Sequence, residues 1–197
     1  MRLGILGGTF DPPHNGHLLI ARAAKEQLRL DRVLFAVTGI QPLKQDQPVS
    51  PADQRADMVE LAIAGEADFE LSRIDLDRLG PHYTADLLRI ASGVYPDAKV
   101  WFIMGGDSLV DLLRWRDPHR LIELARLAVL RRPGFEPDWT ALEAALPDLR
   151  ERIDWIDAPP IDIAAHDIQR RAREGESIEG LVPPAVAQYI AERGLYV

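Results

Sequence analysis

Two histidines, His14 and His17, stand three residues apart in the segment Gly7-Gly8-Thr9-Phe10-Asp11-Pro12-Pro13-His14-Asn15-Gly16-His17. The segment lies where a short apolar run, predicted to be the first strand, gives way to a pattern typical of an amphipathic helix. The spacing directs both imidazoles to the same side of the predicted helix start. Because a helix N-terminus adds partial positive charge and unpaired N–H groups, this arrangement would bind a phosphate. Such a site suits phosphoryl or nucleotidyl transfer, in which positioning and charge stabilisation supply most of the catalysis.

Other phosphate-binding and metal-binding motifs fit this segment less well. No Gly-Lys-Ser/Thr follows the glycines, and their spacing differs from that of a dinucleotide-binding motif. Two histidines at this spacing can also bind a metal ion, but Asp11 is the only further candidate ligand nearby, so we predict no resident metal site. A single histidine near a helix start is usually a cap or a solvated residue. The phosphate-site hypothesis therefore depends on the whole segment rather than on either histidine.

Short β-rich runs alternate with longer amphipathic runs, which predicts an α/β fold with a Rossmann-like, doubly wound parallel sheet. We predict one domain over residues 1–197, with a small helical C-terminal part over about 164–197. The strands are predicted at residues 2–6, 32–38, 69–71, 99–104, 127–130 and 153–156. Helices are predicted over residues 16–28, after Ser50 as an N-cap, over 83–91, after Asp117-Pro118, over 165–173 and over 184–193. Ligands of such sheets bind at the carboxyl ends of the strands, which is where the histidine segment begins.

The composition fits one domain that acts on small anions rather than on nucleic acid. The chain has 197 residues and a formal net charge of −8, whereas a nucleic-acid surface needs clustered Lys and Arg. Cysteine is absent, which excludes disulfides, thiolate zinc sites and a cysteine nucleophile. No apolar run approaches the ~20 residues that span a bilayer, and no signal peptide is predicted. We expect a cytoplasmic protein that binds neither membrane nor nucleic acid.

The segment Gly-Gly-Thr-Phe-Asp-Pro-Pro-His-Asn-Gly-His resembles the opening of the bacterial nicotinate-nucleotide adenylyltransferases, of the nucleotidyltransferase superfamily with the His-x-Gly-His motif. The resemblance implies that His14 and His17 contact the ATP phosphates and stabilise the pentacoordinate α-phosphate while the mononucleotide phosphate attacks. It also implies that Gly8, Thr9 and Phe10 line the ATP site through their backbone, and that Mg²⁺ accompanies ATP. No covalent enzyme intermediate is implied.

The resemblance runs the length of the chain and indicates further site residues. Tyr83-Thr84 matches an aromatic–Thr pair near the pyridine ring of the mononucleotide. Asp107, in a Gly-Gly-Asp-Ser-Leu sequence after the fourth strand, is a candidate for binding a nucleotide hydroxyl, with a helix N-cap as the alternative. Trp115 matches an aromatic wall on which a pyridinium ring can stack, and a buried core tryptophan is the alternative.

Two departures from the family's pattern affect the phosphate site. The loop after the second strand keeps Lys44, a candidate phosphate contact, but lacks the histidine that usually precedes it. Near the C-terminus the family has a signature close to Ile-Ser-Ser/Ala-Thr-x-Ile-Arg, whose hydroxyls and arginine bind the ATP phosphates. The ungapped match has Ala164 for a serine, His166 for the threonine and Gln169 for the arginine. Arg170 is a candidate substitute for that arginine.

The function predicted from these residues is transfer of AMP from ATP to nicotinate mononucleotide, giving deamido-NAD and pyrophosphate in NAD biosynthesis. The alternative is a nucleotide-binding relative with weak or lost transferase activity, because the C-terminal motif is altered. A sister activity on phosphopantetheine is less favoured, since those chains lack the environment of Tyr83, Thr84 and Trp115. The choice between nicotinate and nicotinamide mononucleotide stays open, as does the oligomeric state, a homo-oligomer included.

Overall fold

The computed structural model describes residues 1–39, 49–131, 136–160 and 162–197, and within these ranges six strands form one parallel sheet. The strands are Arg2–Gly8 (β1), Arg32–Val37 (β2), Phe69–Ser72 (β3), Lys99–Gly105 (β4), Arg126–Leu130 (β5) and Ile153–Ile156 (β6). Their order is β3-β2-β1-β4-β5-β6, and each neighbouring pair is parallel. This is the doubly wound order of a Rossmann-like sheet, so the predicted fold class is confirmed.

Helices connect and follow the strands in the described part of the chain. They are Asn15–Gln27 (α1), Ala52–Ile63 (α2), Thr84–Val94 (α3), Gly106–Val110 (α4), Pro118–Leu124 (α5), Trp139–Ala145 (α6), Leu149–Arg152 (α7), Ala165–Arg173 (α8) and Pro184–Arg193 (α9), with a 3₁₀ turn at Leu112–Arg114. β6, α8 and α9 have the predicted bounds, and the other predicted elements differ by a few residues at their ends. The sequence patterns do not predict the short helices α4, α6 and α7. Among the described residues, no helix is both long and apolar enough to cross a membrane.

Each strand in the middle of the sheet buries side chains on both faces. In β2, Val33 and Phe35 point to the face that α1, α2, α8 and α9 cover, whereas Leu34 and Ala36 point to the face under α3 to α7. Ile168 of α8 is fully buried on the first face. The C-terminal helices therefore pack into the same core as α1 and α2.

The prediction that Ser50 is the N-cap residue of α2 is wrong. The N-cap residue of α2 is Pro51, and it makes no side-chain capping bond. Ser50 instead donates its backbone N–H to Oδ2 of Asp11 (3.0 Å) and accepts Nε–H of Arg55 at its carbonyl (2.9 Å). Long-range pairing of the Ser50 backbone has outweighed the local preference for a cap. Asp117 caps α5 through its side chain, as predicted.

A polar cluster ties β4, β5 and β6 together. Trp101, a fully buried residue of β4, donates its indole N–H to Oδ2 of Asp154 (2.7 Å). Arg126 donates to both oxygens of the same carboxylate, at 2.5 and 2.9 Å. Burial raises the pKa of the Asp154 carboxyl, but the hydrogen bonds from Arg126 and Trp101 outweigh burial and hold the pKa below its usual value. The carboxylate on β6 is therefore charged and bonded to side chains of both β4 and β5.

Replacing Asp154 with Ala should lower the free energy of unfolding by about 2 kcal/mol, because the Trp101 indole and the Arg126 guanidinium both lose their partner. Urea denaturation followed by tryptophan fluorescence measures this loss. Glu123→Ala is the matched control, since it removes an exposed ion pair with Arg120 (2.8 Å). We expect that control to change the free energy by less than about 0.5 kcal/mol. Equal losses in the two variants would contradict the importance of the cluster.

Candidate active site

A cleft of about 910 Å³ opens at the carboxyl ends of β1 and β4. These strands are neighbours in the sheet, with β2 and β3 on one side and β5 and β6 on the other. The cleft therefore lies at the switch point of the doubly wound order, where ligands of such sheets bind. The predicted site residues that line it are Gly8, His14, His17, Tyr83, Thr84, Asp107 and Trp115.

The loop over residues 9–14 connects β1 to α1. Phe10 in this loop has a positive φ of 51°, and its side chain is buried. A Cβ on Gly8 would lie 3.1 Å from the Phe10 ring, so glycine makes room for the ring to fold back on the strand end. The ring meets His17 edge-on, with centroids 4.9 Å apart. Neither Phe10 nor Thr9 lines the cleft, so Phe10 contributes by supporting His17.

His14 and His17 are locked together at the start of α1. His14 is the N-cap residue, and its backbone N–H donates to Nδ1 of His17 (3.1 Å). In return, the backbone N–H of His17 donates to the His14 carbonyl (2.9 Å). The two imidazoles are stacked, with centroids 3.7 Å apart and an interplanar angle of 24°. Because Nδ1 of His17 accepts a hydrogen bond, the proton of its neutral ring is on Nε2.

His14 is the more buried of the two rings, with 8% of its surface exposed. Burial lowers its pKa from 6.5 to about 4, so the ring is neutral near pH 7. Among the described residues, Nδ1 of His14 has no hydrogen-bond partner. A buried nitrogen without a partner is costly, and a ligand atom that bonds to it would remove the cost.

Aromatic side chains form another part of the cleft. Trp115 is half-buried and meets Phe102 edge-on, with centroids 5.9 Å apart. Trp115 thus packs against the core without being fully buried, whereas Trp101 of β4 is fully buried. Tyr83 and Thr84 lie at the start of α3 and face the same cleft.

Asp107 lies in the first turn of α4, at the carboxyl end of β4. Its side chain is exposed to the cleft and turns back toward Gly105, where a Cβ would lie 2.4 Å from Oδ1 of Asp107. The N-cap residue of α4 is Gly105, so the alternative that Asp107 is the N-cap is wrong. The carboxylate is placed to accept a hydrogen bond from a ligand.

Three arginines that line the cleft, Arg114, Arg116 and Arg131, were not predicted as site residues. Arg131 follows β5, lies 3.4 Å from Asp157 and packs over the Trp155 ring at 4.8 Å. Arg116 lies over the Tyr83 ring, with its guanidinium carbon 5.3 Å from the ring centre. Arg131 comes directly after a predicted strand, and the rule that carboxyl ends of parallel strands face the ligand could have identified it.

The altered C-terminal segment contacts the histidine loop instead of the cleft. Ala164 is the N-cap residue of α8, and Gln169 donates its side-chain N–H to the carbonyl of Asp11 (2.7 Å). His166 is exposed, and Arg170 pairs with Glu174 (2.6 Å) without lining the cleft. The predicted phosphate contact of Arg170 stays a prediction. Lys44 lies outside the described residues.

The alternative of a metal site at the histidines has no support in this geometry. The imidazoles stack face to face, and both oxygens of Asp11 accept hydrogen bonds from Tyr196 and Ser50. Within the ranges that the structure describes, no group of three or more His, Cys, Asp or Glu side chains could hold a metal ion. The pair is arranged to present hydrogen-bond donors to one ligand group.

The burial of neutral His14 should make stability depend on pH. Its folded pKa of about 4 is below the unfolded value of 6.5, so the unfolded chain takes up the proton first as the pH falls. The free energy of unfolding should therefore fall by up to about 3 kcal/mol between pH 6.5 and 4 through this residue.

Urea denaturation of the unchanged protein and of His14→Gln across that range measures the effect, because other titrating groups are common to both. His119→Gln, which removes an exposed imidazole, controls for the loss of a histidine as such. The curve of His14→Gln should be flatter than the other two. Three parallel curves would contradict the burial of a neutral His14.

Comparisons with known proteins identify the family of this chain. The cytidylyltransferase-like family model matches residues 5–171. A curated relative from Thermomicrobium roseum, named "Probable nicotinate-nucleotide adenylyltransferase", is 47% identical over 195 residues, which cover 99% of this chain and 91% of the relative. A relative of the same name from Thermus thermophilus is 44% identical over 196 residues and covers 100% of both chains.

Solved structures extend the likeness to the fold. The nicotinic acid mononucleotide adenylyltransferase of Plasmodium falciparum, complexed with NaAD, superposes with a TM-score of 0.79 at 18% identity, over 99% of this chain and 97% of that chain. At that identity the likeness concerns the fold alone. The family match and the full-length relatives carry the assignment: the chain belongs to the cytidylyltransferase-like family and, within it, to the nicotinate-nucleotide adenylyltransferases.

Proposed function

We propose that this protein transfers the AMP group of ATP to nicotinate mononucleotide, giving deamido-NAD and pyrophosphate for NAD biosynthesis. The observation that carries the proposal is the stacked pair of His14 and His17 at the N-terminus of α1, in a cleft that Trp115 and Tyr83 also line. Phosphate donors and an aromatic surface in one cleft fit two substrates that both carry phosphate and ring systems. Relatives of that name, 44% and 47% identical over nearly the whole chain, support the same reaction.

The reaction joins two phosphates. An oxygen of the mononucleotide phosphate attacks the α-phosphorus of ATP, and the bond from that phosphorus to the oxygen bridging to the β-phosphate breaks. A phosphate monoester is already an anion at neutral pH, so no protein group has to remove a proton from the attacking oxygen. Negative charge increases on the oxygens around the α-phosphorus and on the leaving pyrophosphate. Groups that donate hydrogen bonds to these oxygens therefore supply the catalysis.

His14 and His17 fit this task as donors. His17 accepts the backbone N–H of His14 at Nδ1, so Nε2 is the nitrogen of its neutral ring that carries a hydrogen and can donate to an oxygen. His14 is neutral in the free protein, and phosphate oxygens next to it would raise its pKa. The N-terminus of α1 adds partial positive charge at the same place. The backbone of Gly8, which lines the cleft, is assigned to the ATP site with them, and the predicted backbone contacts of Thr9 and Phe10 stay predictions.

Mg²⁺ enters this reaction as part of the ATP substrate. The described residues offer no cluster of three or more side chains for a resident metal ion. Mg²⁺ commonly keeps several waters and takes phosphate oxygens with only one or two protein ligands. Bound to the triphosphate, the ion would offset part of its negative charge.

The aromatic part of the cleft is assigned to the pyridine ring. Trp115 and Tyr83 supply faces on which a pyridinium ring stacks, and Thr84 lies beside them. The guanidinium of Arg116 over Tyr83 gives this region a positive charge. That charge attracts the carboxylate of nicotinate but not the neutral amide of nicotinamide, so nicotinate is the proposed substrate. Asp107 is assigned to a nucleotide hydroxyl.

The alternative of a nucleotide-binding relative with weak or lost activity comes from the altered segment 164–169. In the structure Gln169 holds the carbonyl of Asp11, so this position supports the histidine loop. We assign the charge that the altered segment lacks to Arg131, which lines the cleft. The roles of Lys44 and Arg170, a cytoplasmic location and the oligomeric state stay predictions.

With Mg-ATP, the purified protein should release pyrophosphate with nicotinate mononucleotide, and kcat/KM should exceed that for nicotinamide mononucleotide by about tenfold or more. Phosphopantetheine should give no turnover. His17→Ala should lower kcat by about 10²–10³-fold, because it removes a donor to the transferring phosphate. The measurement is coupled detection of pyrophosphate with each acceptor.

His119→Ala is the matched control, since it changes an exposed histidine of α5 outside the cleft. Its kcat should stay within about twofold of the unchanged protein. No turnover with any acceptor, from a folded sample, would favour the nucleotide-binding alternative. A full rate from His17→Ala would remove the proposed role of the pair.

Trp115→Ala should raise KM for nicotinate mononucleotide by about tenfold or more, because stacking on an aromatic face is worth about 1–3 kcal/mol per ring. KM for ATP should change by less than about twofold. Trp139→Ala is the control, since Trp139 packs edge-on against Trp155 (6.3 Å between centroids) and does not line the cleft. Steady-state kinetics with each substrate varied in turn gives both constants. An equal rise in both would contradict the assignment of Trp115 to the pyridine ring.

A further inference from the structure

Asp11 accepts hydrogen bonds from three segments that are distant in the sequence. The side chain is 6% exposed, and its Oδ1 accepts the hydroxyl of Tyr196, 185 residues away, at 2.6 Å. Oδ2 accepts the backbone N–H of Ser50 (3.0 Å), and the backbone carbonyl accepts Gln169 (2.7 Å) from 158 residues away. Three separate segments therefore hold one residue of the loop 9–14.

Arg55 holds the other side of the same loop. Its guanidinium is 1% exposed and donates to the carbonyls of Thr9 (2.6 Å), Thr38 (2.8 Å) and Gly39 (3.1 Å). Burial lowers the pKa of Arg55, and the charge of Asp11 acts against that change. The strand end and the loop are thus fixed from two sides by buried, bonded charges.

The link from Asp11 to the histidines is short and stiff. Only Pro12 and Pro13 separate Asp11 from His14, and both proline rings are buried. Proline fixes φ, so the chain between Asp11 and His14 has few ways to change direction. A displacement of Asp11 is therefore passed on to the backbone N–H of His14, which is the group that holds Nδ1 of His17.

Tyr196 reaches Asp11 because the chain turns back after α9. Gly194 and Tyr196 both have positive φ, 58° and 69°, and Leu195 between them is buried in the core. Burial, together with the hydrogen bond to Asp11, raises the pKa of the Tyr196 hydroxyl above its ordinary value. The hydroxyl is therefore protonated at neutral pH and donates to Oδ1 of Asp11.

We propose that Tyr196 is a positioning residue of the active site: through its hydrogen bond to Asp11 it holds the loop 9–14, and with it the stacked imidazoles of His14 and His17, in the geometry that receives the transferring phosphate. Gln169 acts in the same direction through the carbonyl of Asp11. The residues after α9 thereby help to position the catalytic histidines. The effect on turnover rests on the proposed function, whereas the effect on the imidazoles does not.

Tyr196→Phe tests the proposal, and the chain provides a matched control. Tyr189, on α9, donates its hydroxyl to Oδ2 of Asp57 at 2.7 Å. Neither of these two residues lines the cleft. Tyr189→Phe therefore removes a tyrosine–aspartate bond of nearly the same length. In Tyr196→Phe we expect kcat to fall about tenfold or more, since small displacements of catalytic groups are costly, while KM for nicotinate mononucleotide stays within about twofold. In Tyr189→Phe both constants should stay within about twofold.

The imidazole ¹H–¹⁵N signals of the free protein give a readout that does not depend on activity. Signals of His14 and His17, assigned with His14→Gln and His17→Gln, should shift in Tyr196→Phe and stay in place in Tyr189→Phe. Unchanged signals in Tyr196→Phe would overturn the proposal, whether or not kcat falls. Shifted signals in a protein without adenylyl transfer would leave the positioning role standing and remove the proposed function.

Gln169→Met supplies a second test if Tyr196→Phe is poorly folded at the assay temperature. It removes the donor to the Asp11 carbonyl and keeps a side chain of similar size on a partly exposed face. The same two signals should shift, and kcat should fall with little change in KM for nicotinate mononucleotide. Gln188→Met is its control, because Gln188 bonds only to Glu192 in the same helix among the contacts that the structure gives it. Equal behaviour of these two variants would overturn the proposal.

Discussion

Two charges buried on either side of Ser50, the carboxylate of Asp11 and the guanidinium of Arg55, determine how the chain leaves the sheet after β1. A buried charge is tolerated only where hydrogen bonds replace its lost water, and here almost all the replacements are backbone groups of the loop or its neighbours. Thr9 and Thr38 give their carbonyls to Arg55, and Ser50 gives its N–H to Asp11. A path of the loop that moved Thr9 or Asp11 away would break hydrogen bonds of both charges, since Thr9 accepts from Arg55 and Asp11 accepts from Ser50 and Tyr196. The position of the histidine pair follows from this restriction.

The histidine pair lies beside the middle of the sheet, because it follows β1, and β1 is placed between β2 and β4. Two glycines, at the ends of the neighbouring strands β1 and β4, have the same structural role. A Cβ on Gly8 would lie 3.1 Å from the ring of Phe10, and a Cβ on Gly105 would lie 2.4 Å from Oδ1 of Asp107. In each case the missing side chain lets the residue two positions later fold back beside the strand end. The cleft between β1 and β4 is thereby bordered by His17, which Phe10 supports, and by Asp107.

Local patterns predicted the strands, the helices other than α4, α6 and α7, and the histidine pair, because strand and helix periodicity and the spacing of His14 and His17 are properties of neighbouring residues. The N-cap at Ser50 is wrong for the opposite reason: its backbone is bonded to Asp11, 39 residues away, and a cap preference carries no information about that partner. The contacts of Gln169 and Tyr196 with Asp11 span most of the chain and have no local signal. Residues that only position others are thus the part of a site that a single sequence shows least.

The neutral state of His14 accounts for how a chain with a net charge of −8 can bind two anionic substrates. Two protonated imidazoles with centroids 3.7 Å apart would repel each other, and burial, which keeps His14 uncharged near pH 7, avoids that repulsion. When phosphate oxygens arrive, their charge favours a proton on the same ring, and the attraction grows as the substrate enters. A proton gained by His14 in this way would add to the partial charge of the helix N-terminus and to the charges of Arg116 and Arg131, so that positive charge is concentrated at the cleft of an otherwise acidic chain.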